Sequence, residues 1–364
     1  MAIMHTSRAG ASPVSNYFAG QYCPEGFLGR QPQLSTFNLE LGTLNLPVGR
    51  LAPSPTGAQH VGNARTYLVA WLSIRSRGGR VILRMEDIDS PRIKSWAAAE
   101  AIDDLRWLGL DWDEGPDVGG PHGPFVQTQR LDRYVAGLEH CQAAEQAYPC
   151  TCTRADIVAA ASAPHLGQEG PKYPGTCATR TASDADNFAG IPFAWRFRMP
   201  HTESKFMDLV AGDQRSSLAD DLGDFVISKT DRAPSYQLAV VVDDHEMEVT
   251  EVVRGDDLLP STFRQLALYE FFGWEPPKFA HVPLVVGPDG RRLAKRHGDT
   301  RLSEIRKRGL GPEKLLGLLA WSCGLRTTAD PTTAAELVAG FDLSQITSGP
   351  FTFTPEMWNH IIAA

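Results

Sequence analysis

The chain is poor in cysteine, with six in 364 residues, which excludes a small disulfide-stapled scaffold. Long apolar runs are also missing. The longest, Leu315 to Leu325, has polar interruptions and falls short of the roughly 20 residues that span a bilayer. No apolar stretch follows Arg8, so a secretory leader is not expected. There is no excess of positive charge: 35 Lys+Arg stand against 43 Asp+Glu, a net charge of -8. That balance argues against non-specific wrapping of nucleic acid but leaves room for a local basic strip, because charge acts over about 10 Å at moderate salt. Against these absences, 42% hydrophobic and 21% charged residues supply a globular core. The length suggests two domains. The expectation is a soluble cytoplasmic protein with no membrane segment and no obligate protein partner.

Residues 1–46 differ from the rest. Only Arg8, Glu25, Arg30 and Glu40 are charged there, and Gly, Ser, Pro and Asn break any periodicity, so a disordered tail is expected. Beyond it an α/β rhythm begins. Val48 to Ala52 reads as a strand, His60 to Ser76 as a helix with Val61, Leu68, Trp71 and Leu72 inward, Arg80 to Glu86 as a strand and Ser95 to Leu108 as a helix. This order predicts a βαβ unit and a parallel sheet. Residues 145 to 185 interrupt it with Cys, Pro, Gly and Thr. β-rich runs return at Trp195–Met199, Asp224–Ile227, Tyr236–Val242 and Glu248–Val253. Pro260–Phe272 reads as a helix, His281–Val286 as a strand, Pro288-Asp289-Gly290 as a turn, and the chain from Leu302 as helical with Leu315, Leu316, Leu318 and Leu319 inward.

Three segments carry chemistry. Arg50 to Asn63 joins a strand end, a Pro/Gly loop and a helix start bearing His60 and Gly62, the arrangement in which backbone N–H groups and the helix dipole attract phosphate. Arg84-Met-Glu86-Asp87-Ile-Asp89 sets several carboxylates at a strand end, where a metal would fit. Asp289 to Gly298 opens a basic run through Arg308 that includes Lys295. Cysteine adds a fourth signal. Cys150-Thr-Cys152 followed by Cys177 is spaced as a metal knuckle or as buried thiols, with His165 as a fourth zinc ligand on residue chemistry alone.

Arg50 to Asn63 is similar to the first signature of class I aminoacyl-tRNA synthetases in its glutamyl and glutaminyl form. Asp289 to Gly298 resembles the mobile lysine loop of the same class. Two departures stand out: Asn63 replaces a His and Ala294 replaces a Ser. The resemblance covers about residues 47 to 325. It implies a Rossmann-type parallel sheet with a zinc-bearing insertion, a small helical C-terminal part and no anticodon-binding domain. The expected parts are a first catalytic half (47–145), a zinc-bearing insertion (146–222), a second catalytic half (223–287) and the lysine loop with the helical part (288–364). By the same resemblance, Arg50, Leu51, Ala52, Pro53, Ser54, Glu86, Tyr236 and Arg254 bind glutamate, with Glu86 toward the α-ammonium and arginine forks toward carboxylates. His60, Gly62, Asn63 and Lys295 bind ATP with Mg2+, and His60 and Lys295 act on the phosphates as catalytic residues. A single Zn2+ would be held by Cys150, Cys152, Tyr173 and Cys177.

Within the family, the short stretch after the lysine loop resembles a truncated paralogue of glutamyl-tRNA synthetase. The implied partners are ATP, L-glutamate and tRNA(Asp) bearing queuosine, the base to which glutamate is transferred. Two alternatives are a catalytic fragment that charges the 3′ end of tRNA(Glu), and a non-catalytic binding protein that kept the fold.

Overall fold

The computed structural model describes residues 46–88, 93–160, 172–230, 233–293 and 300–363. Strand β1 (Val48–Leu51) leads through the Pro/Gly loop into helix α1 (Val61–Arg75) and back to β2 (Arg80–Leu83), then to α2 (Ala97–Trp107), α3 (Leu131–Ala143), β3 (Ala147–Cys150) and α4 (Arg154–Ala160). Strands β4 (Ala194–Phe197), β5 (Glu203–Asp208), β6 (Gly212–Ser217) and β7 (Phe225–Ser228) follow. Helix α5 (Tyr236–Glu246), β8 (Glu251–Gly255), α6 (Leu259–Phe272), β9 (Lys278–Val282) and β10 (Val285–Val286) complete the central part. The C-terminal part holds α7 (Leu302–Lys307), α8 (Glu313–Ser322), α9 (Ala334–Val338), β11 (Phe351–Thr352) and α10 (Pro355–Ile362).

The main sheet has the order β2-β1-β8-β9 with every pair parallel, as the βαβ pattern predicts. Helix α1 packs against it closely enough that a Cβ on Gly49 would collide with the Ile74 side chain, so this strand position takes glycine for space. The strand order reverses between β1 and β8. Crossovers leave that point in opposite directions, which opens a crevice at the strands' carboxyl ends. Residues following β1, β2 and β8 therefore converge there.

Two expectations about elements are corrected. Tyr236–Val242 is not a strand but the start of α5, whose residues Gln237 to Asp244 are all buried. A helix covered on every side shows no apolar period, and its Val-Val-Val run imitates β-sheet composition. The run His281–Val286 is two strands, β9 and β10, interrupted at Pro283 where the chain leaves the main sheet. Strand β7, just after the expected boundary at 222/223, pairs with β4 in the antiparallel order β3-β4-β7. The hairpin β5–β6 escaped the sequence reading because neither strand carries an apolar face. Among the described residues no helix is long and apolar enough to cross a membrane.

Candidate active site

A cavity of about 760 Å3 lies at the strand-order reversal, lined by Arg50, Ala52, Ser54, His60, Gly62, Asn63, Glu86, Tyr236 and Arg254. Strand alternation explains the selection from the first signature. Arg50, Ala52 and Ser54 face the cavity, whereas Leu51 and Pro53 do not line it and Leu51 is buried in the core. Their carbonyls serve the next segment instead, Leu51 O accepting from Arg84 N–H at 2.9 Å and Pro53 O from Glu86 N–H at 3.1 Å. These bonds carry Glu86 past the end of β2 to the cavity.

The charged residues are set by a buried network. Arg84, wholly buried, lies 2.7 Å from Asp244 and donates to Glu86 Oε1 at 2.9 Å. Arg50 lies 3.5 Å from the same Asp244 and donates to Val253 O at 3.4 Å. Burial pushes the Glu86 carboxyl up, and Arg84 and Arg50 offset this only in part. An incoming ammonium would therefore complete its charge balance. Arg254 donates from Nη2 to Thr262 Oγ1 at 2.8 Å and from Nε to His281 Nε2 at 3.1 Å, with Nη1 3.5 Å from the Tyr236 hydroxyl. Burial also raises the Tyr236 phenol, keeping it a hydrogen-bonding group rather than an anion.

His60 is the N-cap of α1. Its Nδ1 accepts from Gly62 N–H at 3.1 Å, and Asn63 Oδ1 accepts from His60 N–H at 3.2 Å, a reciprocal cap that uses the substituted Asn63. The space left by Gly62 is taken by the His60 ring itself, whose Cε1 would be 3.0 Å from an added Cβ. Burial, and then Arg292, lower the His60 pKa to about 4. The ring is thus neutral near pH 7, with Nδ1 committed as acceptor and the proton on Nε2.

Sequence reasoning missed Thr66, Tyr67, Asp257 and Arg292 in the lining. Two of them share a helix face with a predicted residue: Asn63, Thr66, Tyr67 and Ala70 stand at i, i+3, i+4, i+7 of α1. Tyr67 donates to Gln59 Oε1 at 3.1 Å, and Arg292 donates to Asp257 at 2.7 Å. Lys295 and Ala294 lie outside the described residues. The chain on either side is tied to the cavity: Arg292 lines it, Val61 N–H donates to Thr300 O at 3.1 Å and Leu302 N–H to Gln59 O at 3.0 Å.

A second cluster forms where β3 ends. The sulfurs of Cys150, Cys152 and Cys177 all lie within 4.8 Å of one another, and none is in a disulfide. The Tyr173 hydroxyl is 3.3 Å from Cys150 Sγ and 3.7 Å from Cys152 Sγ, while Cys152 and Cys177 are 3.6 Å apart. Sulfurs on a tetrahedral zinc at bonds of about 2.3 Å would be separated by about 3.8 Å, so this donor set fits the ion. Burial acts to raise the Cys177 thiol, but hydrogen bonding with Tyr173 and Thr151 outweighs it and brings the pKa down to about 7. His165 lies outside the described residues, as do Asp89 and the residues after it to Arg92.

The chain is similar to proteins of known kind over most of its length. Residues 48–348 match the family described as tRNA synthetases class I (E and Q), catalytic domain. It is 52% identical over 314 residues to a glutamyl-Q tRNA(Asp) synthetase of Symbiobacterium thermophilum, covering 85% of this chain and 96% of the relative. Identity to the protein of that name from Rhodopirellula baltica is 53% over 294 residues, covering 78% and 87%. Among solved structures, a glutamate tRNA ligase from Elizabethkingia meningosepticum in complex with its amino acid superposes with a TM-score of 0.74 at 29% identity, over 86% of this chain and 68% of that one. With the parallel sheet, the crevice at its reversal and both signature segments in order, the chain belongs to the class I glutamyl and glutaminyl tRNA synthetase family, of which it carries the catalytic domain.

Proposed function

We propose that this chain activates L-glutamate with ATP and transfers it to the queuosine base in the anticodon of tRNA(Asp), the reading that its glutamyl-Q relatives' names support. The observation that carries the activation step is the cavity itself, which sets the buried Arg50 and Arg254 beside Glu86 and Tyr236, groups that suit a zwitterion with a second carboxylate. Arg50 and Arg254 hold carboxylate oxygens, Glu86 takes the α-ammonium and Tyr236 closes the pocket beside Arg254. Ala52 and Ser54 border the glutamate. The glutamate α-carboxylate is already a nucleophile, so adenylation needs no general base. Its oxygen attacks the α-phosphorus of ATP and pyrophosphate leaves.

Catalysis is then positioning and charge stabilisation. Neutral His60 offers its Nε2–H to a phosphate oxygen, and Lys295 supplies the cation as charge grows. Mg2+ arrives with ATP as counter-ion. In the second step a queuosine hydroxyl attacks the activated carbonyl and AMP leaves. Zinc on Cys150, Cys152, Tyr173 and Cys177 would fasten the insertion and supply no chemistry to the reaction. Such a protein works in the cytoplasm, where ATP and tRNA are. The test of the activation step is glutamate-dependent exchange of pyrophosphate into ATP without tRNA. Exchange that needs tRNA, or ignores glutamate, refutes it.

A further inference from the structure

Arg254 is held from behind by a chain of buried polar groups that the adenylation chemistry does not use. The Asp208 Oδ2 atom lies 2.6 Å from His281 Nδ1, and both side chains are fully buried. On the other side of the ring, Nε2 lies 3.1 Å from Arg254 Nε and 3.1 Å from Thr262 Oγ1. A guanidinium can only donate, so Nε2 must be the bare acceptor and the ring proton must sit on Nδ1, where the Asp208 carboxylate receives it. The tautomer is therefore chosen by Asp208, at the end of β5, a strand of the polar hairpin rather than of the main sheet. Its other oxygen, Oδ1, accepts from His281 N–H at 3.0 Å, Val210 N–H at 3.0 Å and Ala211 N–H at 2.8 Å, which locks the carboxylate in place.

We propose that Asp208 and His281 are positioning residues for Arg254. By fixing a neutral acceptor at Nε2 they hold the guanidinium so that its Nη1 end stands beside Tyr236 at the cavity. This rests on the reading of that cavity as the glutamate site. With the opposite tautomer, an Nε2–H would point at the Arg254 Nε–H, two donors would face each other, and the guanidinium would turn away. A shift of about 1 Å in a positioning group is enough for large losses.

Asp208→Asn isolates this. The amide oxygen can keep the three backbone bonds made by Oδ1, while its NH2 must donate to His281 Nδ1 and so drives the proton to Nε2. Glutamate KM in tRNA-independent exchange should rise about tenfold, with kcat and ATP KM within about threefold. The effect should vanish where there is no tautomer to invert. In a His281→Gln background, Asp208→Asn should change glutamate KM by less than about twofold. Nitrogen-15 spectra of the wild-type protein should show His281 protonated at Nδ1, moving to Nε2 in Asp208→Asn. An equal KM factor in both backgrounds, an unchanged KM in Asp208→Asn, or a wild-type ring protonated at Nε2 each overturns the proposal. If Arg254→Ala leaves glutamate KM unchanged, the glutamate reading itself fails. If Arg254→Ala raises it while the Asp208 cycle is additive, the glutamate site stands and only the relay is lost.

Discussion

Arg84 and Asp244 meet at 2.7 Å with both side chains buried, joining the segment that carries Glu86 to helix α5, which begins at Tyr236. One buried cation thus sets the distance between two walls of the cavity. The same guanidinium lies 3.7 Å from Asp243, which in turn holds Arg130 at 2.6 Å.

Replacing Arg84 by Met would leave Asp244 and Glu86 with less compensation inside the core. A loss of about 3–5 kcal/mol is expected, the cost of breaking a buried pair from one side. Urea denaturation measures it. A loss below about 1 kcal/mol would place the pair in the class of exposed ion pairs.

His60 makes stability depend on pH with a definite sign. Its folded pKa is about 4 against an ordinary 6.5, so the unfolded chain takes up the proton first as pH falls. The stabilisation is intact above pH 6.5 and is lost as pH falls through the folded pKa, by on the order of 3 kcal/mol. His60→Gln should flatten the stability profile across this window. A profile that keeps its slope would show that His60 takes up its proton alike in the folded and unfolded chain.

The thiol cluster predicts one zinc per chain in purified protein, lost in a Cys150→Ser/Cys177→Ser double variant and accompanied by a lower Tm. Tyr173→Phe should weaken zinc retention against a chelator more than His165→Ala does. Elemental analysis and chelator competition decide between the two ligands. Full zinc in the double cysteine variant would refute the site.

Lys295 and Arg254 should fail differently. Under the proposed roles, Lys295→Ala is expected to lower kcat by about 10²–10³ with little change in glutamate KM, the pattern of a charge that acts on the transition state. Arg254→Ala should mainly raise glutamate KM, and Arg254→Lys should rescue it poorly, since a point charge cannot replace the planar fork. Steady-state exchange kinetics with each substrate varied separate the two patterns.

Much of the site could be read from the chain because its parts stand in short contiguous segments. Arg50 and His60 flank one loop, Glu86 ends one strand run, and Cys150, Cys152, Tyr173 and Cys177 keep a spacing that the fold closes into one cluster. What stayed hidden depends on side chains that meet across long separations. Asp208 and His281 are 73 residues apart, and nothing local marks either as a partner of Arg254. Helix α5 was hidden for the opposite reason: burial on every side removes the periodicity that identifies a helix. Asn63 departs from the signature's His, yet its amide oxygen completes the cap that holds His60 at the cavity.

The most direct test of the transfer reaction uses labelled glutamate, ATP and queuosine-bearing tRNA(Asp) from which the 3′-terminal nucleotide has been removed. Label should be incorporated as well as on intact tRNA(Asp), because the acceptor hydroxyl lies in the anticodon base. Label that is lost with the 3′ terminus, together with charging of tRNA(Glu), would contradict the assignment and identify a 3′-end ligase instead.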